Sequence, residues 1–227
     1  MQEYEVKVNI NNMYESNREV LDILEKTKAV VDHSHFVYTS GKHAPMYVNK
    51  DYVYPYTAYV SRITEIIAEK YKDTPIDVVV GPSIGGIILS QWTAHHLSRL
   101  KGKEILSVYT EKQPDKNQIF TRGYGAFVKG KNVLVVEDIV TTGGSVKKVI
   151  NSIVHEGGKV LAACSIVNKD PIHINPDFIG APFDYLTIIG TDVYEEKDCP
   201  LCREGVPVNT TLGHGKAFLE KIKDKQL

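Results

Sequence analysis

Apolar and polar positions along this chain switch repeatedly between a helical period and short β-branched runs. Residues 14–31 place Val20, Leu24, Thr27 and Val31 on one helical face, with Ser16 and Glu19 at capping-box spacing. Residues 57–71 repeat that period through Val60, Ile63, Ile67 and Tyr71, with Thr57 as the cap. Asp77-Val78-Val79-Val80 is a strand of the kind buried on both faces, and a helix follows from Ile87 to Leu100. The same order returns with a strand at Ile105–Tyr109. It returns again at Val133–Val136, which leads to a helix over 143–156 carrying Val146, Val149, Ile150 and Ile153. Gly157-Gly158 closes that helix, and Lys159–Val167 and Phe183–Ile189 supply two more strands. Strands alternating with helices predict an α/β fold, a mostly parallel twisted sheet flanked by helices. Residues 33–50, aromatic and β-branched around Ser40-Gly41, predict a short hairpin, and 190–227 read as a tail rich in turn residues.

Composition narrows the function. The chain has 227 residues, 42% hydrophobic and 24% charged, enough for a sizeable core. A net charge of −1 argues against non-specific binding to nucleic acid or an anionic membrane. Met1-Gln2-Glu3-Tyr4-Glu5 offers no apolar leader, and no run approaches the ~18 apolar residues of a membrane span. Three cysteines make no disulfide framework, so a reducing cytoplasm is the expected location.

The chemistry concentrates at Val133-Leu134-Val135-Val136-Glu137-Asp138-Ile139-Val140-Thr141-Thr142-Gly143-Gly144-Ser145. A buried strand ends in two carboxylates, then in small hydroxyl and glycine residues at a helix start. Free backbone N–H groups at a helix start attract phosphate. The glycines permit a tight turn and close approach, and Thr141, Thr142 and Ser145 bring hydroxyl donors. Glu137 and Asp138 have the wrong charge for phosphate and suit ribose hydroxyls. A second glycine turn, Gly81-Pro82-Ser83-Ile84-Gly85-Gly86, ends the strand at Asp77–Val80 in the same way and is another anion cradle. Residues 111–131 form a polar ~20-residue connection without a core of its own, with Lys112, Lys116 and Arg122. Such connections are more often functional or mobile.

The stretch 133–145 resembles the phosphoribosyl-pyrophosphate (PRPP) signature of type I phosphoribosyltransferases over its whole length. Walker and Rossmann phosphate motifs do not fit it. The resemblance, strongest to the orotate phosphoribosyltransferases, covers residues ~14 to ~215 and implies a small N-terminal hood on the α/β core. The expected organisation is one domain, with a core of about 57–189, a hood of about 1–56 and the tail 190–227. Glu137, Asp138 and Ile139 to Ser145 would bind PRPP, with Thr141 also facing the base. Ser83 to Gly86 would bind pyrophosphate, and Lys112 and Arg122 would belong to a flexible catalytic loop, Lys112 acting with Asp138. The family often has a basic pair where this chain has Glu111-Lys112. In the hood, Lys42 and His43 on an aromatic-flanked turn suit a planar anion; spacing alone favours an ordinary exposed hairpin, and the resemblance tips the reading toward base binding. The resemblance adds Ser40, Tyr47 and Lys50 to the base-binding set. It also adds Lys169, near where relatives commonly have an arginine. The implied reaction is orotate plus PRPP giving orotidine 5′-monophosphate and pyrophosphate. Mg²⁺ would be carried by PRPP, and the enzyme would be a homodimer. A phosphoribosyltransferase for another base such as a purine, and a non-catalytic PRPP sensor, are the competing readings.

Cys199-Pro200-Leu201-Cys202 is a single C-x-x-C. A structural zinc site needs four ligands, and adding His214 gives three. Metal binding and redox chemistry therefore rank below a packed tail, and no protein metal ligand is expected. His33/His35 and His95/His96 read as structural, the latter because adjacent helical residues face different ways.

Overall fold

The computed structural model describes residues 16–225. The residues at Met1–Glu5 and the first two residues of the helix expected over 14–31 lie outside the described residues. In chain order the strands are β1 (Val30–Val31), β2 (Phe36–Val37), β3 (His43–Ala44), β4 (Tyr47–Val48) and β5 (Val78–Pro82). They continue with β6 (Leu106–Lys112), β7 (Gln118–Ile119), β8 (Asn132–Val140), β9 (Lys159–Asn168) and β10 (Phe183–Ile188). The helices are α1 (Arg18–Lys26), α2 (Thr57–Lys70), α3 (Gly85–Lys101), α4 (Gly125–Val128), α5 (Gly144–His155), α6 (Pro176–Ile179), α7 (Pro200–Arg203) and α8 (Gly215–Lys225). Two compact units emerge. Among the described residues, one holds 24–52 and 190–225, and the other holds 16–23 together with 53–189.

The larger unit is built on a six-stranded sheet in the order β10-β9-β8-β5-β6-β7. Every pairing is parallel except β6 with β7. Val133 and Val135 of β8, Val78 and Val80 of β5, and Val146, Val149, Ile150 and Ile153 of α5 share one buried cluster. These are the apolar positions read from the sequence. Burying each such side chain stabilises the fold by about 1.5–3 kcal/mol. β6 follows β5 on one side and β8 returns on the other, so the strand order reverses between β5 and β8. Crevices at such reversals, at the carboxyl ends of the strands, are where open α/β sheets bind ligands.

The expected helix over 14–31 is shorter than its pattern. Lys28 has φ +54°, and the β-branched pair Val30-Val31 leaves the helix to pair antiparallel with Tyr47 and Val48. Its cap is Asn17, whose Oδ1 accepts the Val20 N–H at 3.1 Å. Ser16 Oγ instead accepts the Ile188 N–H at 3.2 Å. Thr57 is likewise the first residue of α2, with Tyr56 at the cap position. The connection 111–131 has more structure than its polarity suggested. β6 extends to Lys112 and forms a hairpin with β7, Val128 of α4 is fully buried, and Phe120 and Tyr124 pack on the core cluster. Among the described residues, no helix is long and apolar enough to cross a membrane.

The smaller unit contains the expected hairpin, with Phe36 paired to Ala44 and Val37 to His43. The segment after Gly190 joins it through backbone bridges, His43 with Tyr194 and His35 with Val208.

Candidate active site

β8 delivers Glu137 and Asp138 to the carboxyl edge of the sheet, and both are buried, at 7% and 3% exposure. A buried carboxylate must have hydrogen-bond donors. Asp138 Oδ1 accepts its neighbour's N–H (Ile139, 2.7 Å), and Oδ2 accepts the Tyr54 hydroxyl at 2.7 Å. Glu137 Oε1 accepts the Asp138 N–H at 3.0 Å. The carboxylate of Asp138 is thus fixed before any ligand arrives. Tyr54 is a site residue that sequence reasoning missed, because nothing local links it to a strand 84 positions away.

The chain then turns through Gly143, whose φ of +68° favours glycine. A Cβ there would lie 2.8 Å from Phe178 Cε1 and 3.0 Å from Ile179 Cδ1, so α6 is seated directly on the loop. Thr141, Thr142 and Ser145 are exposed, with their hydroxyls at the start of the twelve-residue helix α5. Hydroxyls beside the free N–H groups of a helix start are the arrangement a phosphate cradle requires.

The turn after β5 approaches the same carboxylate. A Cβ on Gly85 would fall 2.0 Å from Asp138 Oδ2 and 2.3 Å from the Tyr54 hydroxyl. Gly81 and Gly86 also touch backbone to backbone, a Cβ on Gly81 lying 2.3 Å from Gly86 O. Ile84 is 78% exposed at the tip and Ser83 is half-buried. The two glycine turns therefore meet at Asp138, as neighbouring strands β5 and β8 require.

Lys169 follows β9, and its N–H donates to Val140 O at 2.9 Å, which places it beside Thr141. Burial pushes the Lys169 ammonium down to about 8. Lys112 is exposed at the end of β6, and Arg122 is ion-paired to Glu111, Nη2 to Oε1 at 3.0 Å. Thr121 Oγ1 donates to the other Glu111 oxygen at 2.6 Å. Glu111, the acid in place of a second basic residue, thus orders the start of the segment that holds Arg122. The Thr121 hydroxyl first, and then the Arg122 guanidinium, both donating to it, lower the Glu111 carboxyl from its ordinary value.

The other base-binding candidates belong to the smaller unit. Lys42 is ion-paired with Glu195 at 3.1 Å on an exposed surface, Tyr47 packs on Phe36 and Tyr38, and Ser40 is exposed on the turn. Lys50 opens a short 3-10 turn. His43, expected on the polar turn, is instead fully buried, with its ring against His35 and Phe218. His95 and His96 contact Trp92, and His96 Nε2 lies 3.0 Å from Ser61 Oγ, a packed arrangement in line with a structural role.

Comparison with known proteins supplies the lineage. Residues 51–179 match the phosphoribosyl transferase domain family. An orotate phosphoribosyltransferase of Caldanaerobacter subterraneus is 40% identical over 189 residues, covering 83% of this chain and 93% of that relative. That of Thermotoga maritima is 38% identical, covering 83% and 94%. Among solved structures, orotate phosphoribosyltransferase of Mycobacterium tuberculosis with Fe(III) dicitrate superposes with a TM-score of 0.58 at 21% identity, over 76% of this chain and 96% of that one. The Aeropyrum pernix enzyme gives 0.55 at 20% identity, over 74% and 93%. With β5 and β8 presenting their glycine turns to one buried acid, and with relatives this similar along most of its length, this chain belongs to the phosphoribosyl transferase family.

Proposed function

We propose that the protein transfers the phosphoribosyl group of PRPP to orotate, giving orotidine 5′-monophosphate and pyrophosphate. The observation that carries the choice of orotate is the reach of the similarity. At 40% identity the alignment spans 189 residues, more than the family-matched core of 51–179 contains.

In this reaction the anomeric carbon loses pyrophosphate and gains a pyrimidine nitrogen, and positive charge builds on the ribose ring in between. Asp138 holds a ribose hydroxyl with a carboxylate already oriented by Tyr54 and the Ile139 N–H, so little reorganisation is needed. Glu137 takes the neighbouring hydroxyl. Thr141 to Ser145 and the first N–H groups of α5 hold the 5-phosphate, and Ser83 to Gly86 receive the pyrophosphate. Lys112 and Arg122 supply positive charge to the leaving group, and Lys169 faces the anionic base; the family resemblance also assigns Ser40, Lys42, Tyr47 and Lys50 to base binding. The groups that could meet a cation at this edge are the carboxylate oxygens of Glu137 and Asp138, hard ligands that suit Mg²⁺ arriving on PRPP. When bound, Mg²⁺ neutralises pyrophosphate charge. The family resemblance brings with it a homodimer in the cytoplasm, acting in pyrimidine biosynthesis.

Orotate consumption followed spectrophotometrically with PRPP and Mg²⁺, beside hypoxanthine, adenine and uracil, tests the assignment. Turnover is expected on orotate. Turnover on a purine alone overturns it, and PRPP binding without turnover on any base favours a sensor.

Lys169 gives a second test. Its charge is present below about pH 8 and lost above it, whereas an arginine at that place would stay charged throughout. The KM for orotate is therefore expected to climb as pH passes 8, by about tenfold at pH 9 if only the charged form binds. Lys169→Arg should flatten that rise. Identical pH profiles for the two proteins would detach Lys169 from the base.

A further inference from the structure

The smaller unit contains a cluster for which the transfer reaction has no use. His35, His43, Cys199 and Cys202 each offer one ligand atom, and these four atoms all lie within 4.8 Å of one another. His35 Nε2 is 2.8 Å from His43 Nδ1, 3.8 Å from Cys199 Sγ and 3.7 Å from Cys202 Sγ. His43 Nδ1 is 3.3 Å from Cys202 Sγ. We infer that these four side chains form a tetrahedral structural zinc site that fastens the C-terminal segment to the β2–β3 hairpin.

The distances fit. Zn–N bonds of about 2.0–2.1 Å and Zn–S bonds of about 2.3 Å give tetrahedron edges of roughly 3.3 Å between nitrogens and 3.6 Å between nitrogen and sulfur. The three nitrogen–sulfur contacts already bracket that second edge. The two imidazoles must spread by about half an ångström, and no edge of the cluster exceeds 4.8 Å. Ligand chemistry agrees too, because two thiolates and two imidazoles suit zinc and not the hard cations that prefer oxygen.

The tautomers point the same way. His35 Nδ1 lies 2.8 Å from Val206 O, and a carbonyl can only accept, so Nδ1 carries the proton and Nε2 presents its lone pair to the cluster. With His43 Nδ1 also giving its lone pair to a metal, its Nε2 becomes an N–H. That atom is buried without a hydrogen-bond partner among the described residues, and the His43 ring stands at 87° to Phe218. A weak aromatic acceptor suits an N–H better than it suits a second buried lone pair.

The backbone holds all four residues in place. His43 and Tyr194 exchange two N–H···O bonds of 2.8 Å, Asn209 N–H donates to His35 O at 2.7 Å, and Cys199 caps α7, which carries Cys202. Three of the four residues are buried, Cys202 being exposed. A two-cysteine motif thus finds its missing half on a hairpin 164 residues earlier.

Metal analysis of the full-length protein, purified with reductant and dialysed without chelator, tests the site. About one zinc per chain is expected, falling at least tenfold in Cys199→Ser/Cys202→Ser. Should that variant fail to fold, the wild-type chain decides by itself. After chelation it should bind one Co²⁺ with the intense visible bands of tetrahedral coordination and a thiolate charge-transfer band. Zinc should also raise its Tm and slow alkylation of Cys202 at least tenfold. Failure to take up either metal overturns the inference, as does the weak spectrum of octahedral cobalt. Isolation of a Cys199–Cys202 disulfide from reductant-treated protein would do the same.

Discussion

Asp138→Asn is expected to lower turnover or PRPP affinity ten- to a hundredfold. A hydrogen bond to a charged group contributes on the order of 1.5–3 kcal/mol, and each 1.36 kcal/mol is about a factor of ten in rate. The substitution keeps the shape of the side chain and removes its charge. It also makes half of the group a donor, although the Tyr54 hydroxyl and the Ile139 N–H both donate to it in the wild type. One of those donors would then face another donor. Steady-state kcat and KM for PRPP measure the effect, with thermal unfolding alongside to separate it from lost stability. Wild-type kinetics in the variant would mean that the buried acid does not touch the ribose.

The second large effect is expected at a residue with no functional group. Gly85→Ala would put a methyl carbon 2.0 Å from Asp138 Oδ2 and 2.3 Å from the Tyr54 hydroxyl, distances no pair of atoms tolerates. Something must move, and the movable parts are the carboxylate and the phenol. A displacement of about 1 Å in a positioning group can cost on the order of a hundredfold, so Gly85→Ala should match or exceed Asp138→Asn. Gly102→Ala makes a useful comparison. It has φ +61° but open space around it, so strain there should reduce stability without touching kcat. A Gly85→Ala enzyme with unchanged kcat and KM would show that Asp138 and Tyr54 need not stand where they do.

The alternation of strands and helices, the two glycine turns and the core positions of α5 were legible because each is written locally. A β-branched run, a glycine pair or an apolar stripe announces itself within a dozen residues. Tyr54 was not legible, because its partner is 84 positions away and one tyrosine among thirteen carries no mark. The hairpin of β6 with β7 was hidden by polarity, since Gln118 is buried through a 3.0 Å bond from Thr110 and not through an apolar side chain. Arg122 was read as a charge for a ligand, and its pairing with Glu111 appears only when the backbone folds back on itself. The metal cluster was discounted by counting ligands along the chain. His214, which could only have raised the count to three, lies 2.8 Å from Thr39 Oγ1 through its Nε2, while His35 and His43 come from a hairpin with no metal-binding spacing.

Because Cys199 and Cys202 come 164 and 167 positions after His35, the order of synthesis imposes a wait. At about 5–20 residues per second, a ribosome needs roughly 10–30 s to deliver the cysteines after the first histidine has been made. Through most of that interval the β2–β3 hairpin is without the strand bridges that Tyr194 and Val208 provide, and by its end every strand of the six-stranded sheet has been translated. Chains truncated just short of Cys199 and released from the ribosome should therefore carry a protease-resistant sheet and a hairpin still open to cleavage.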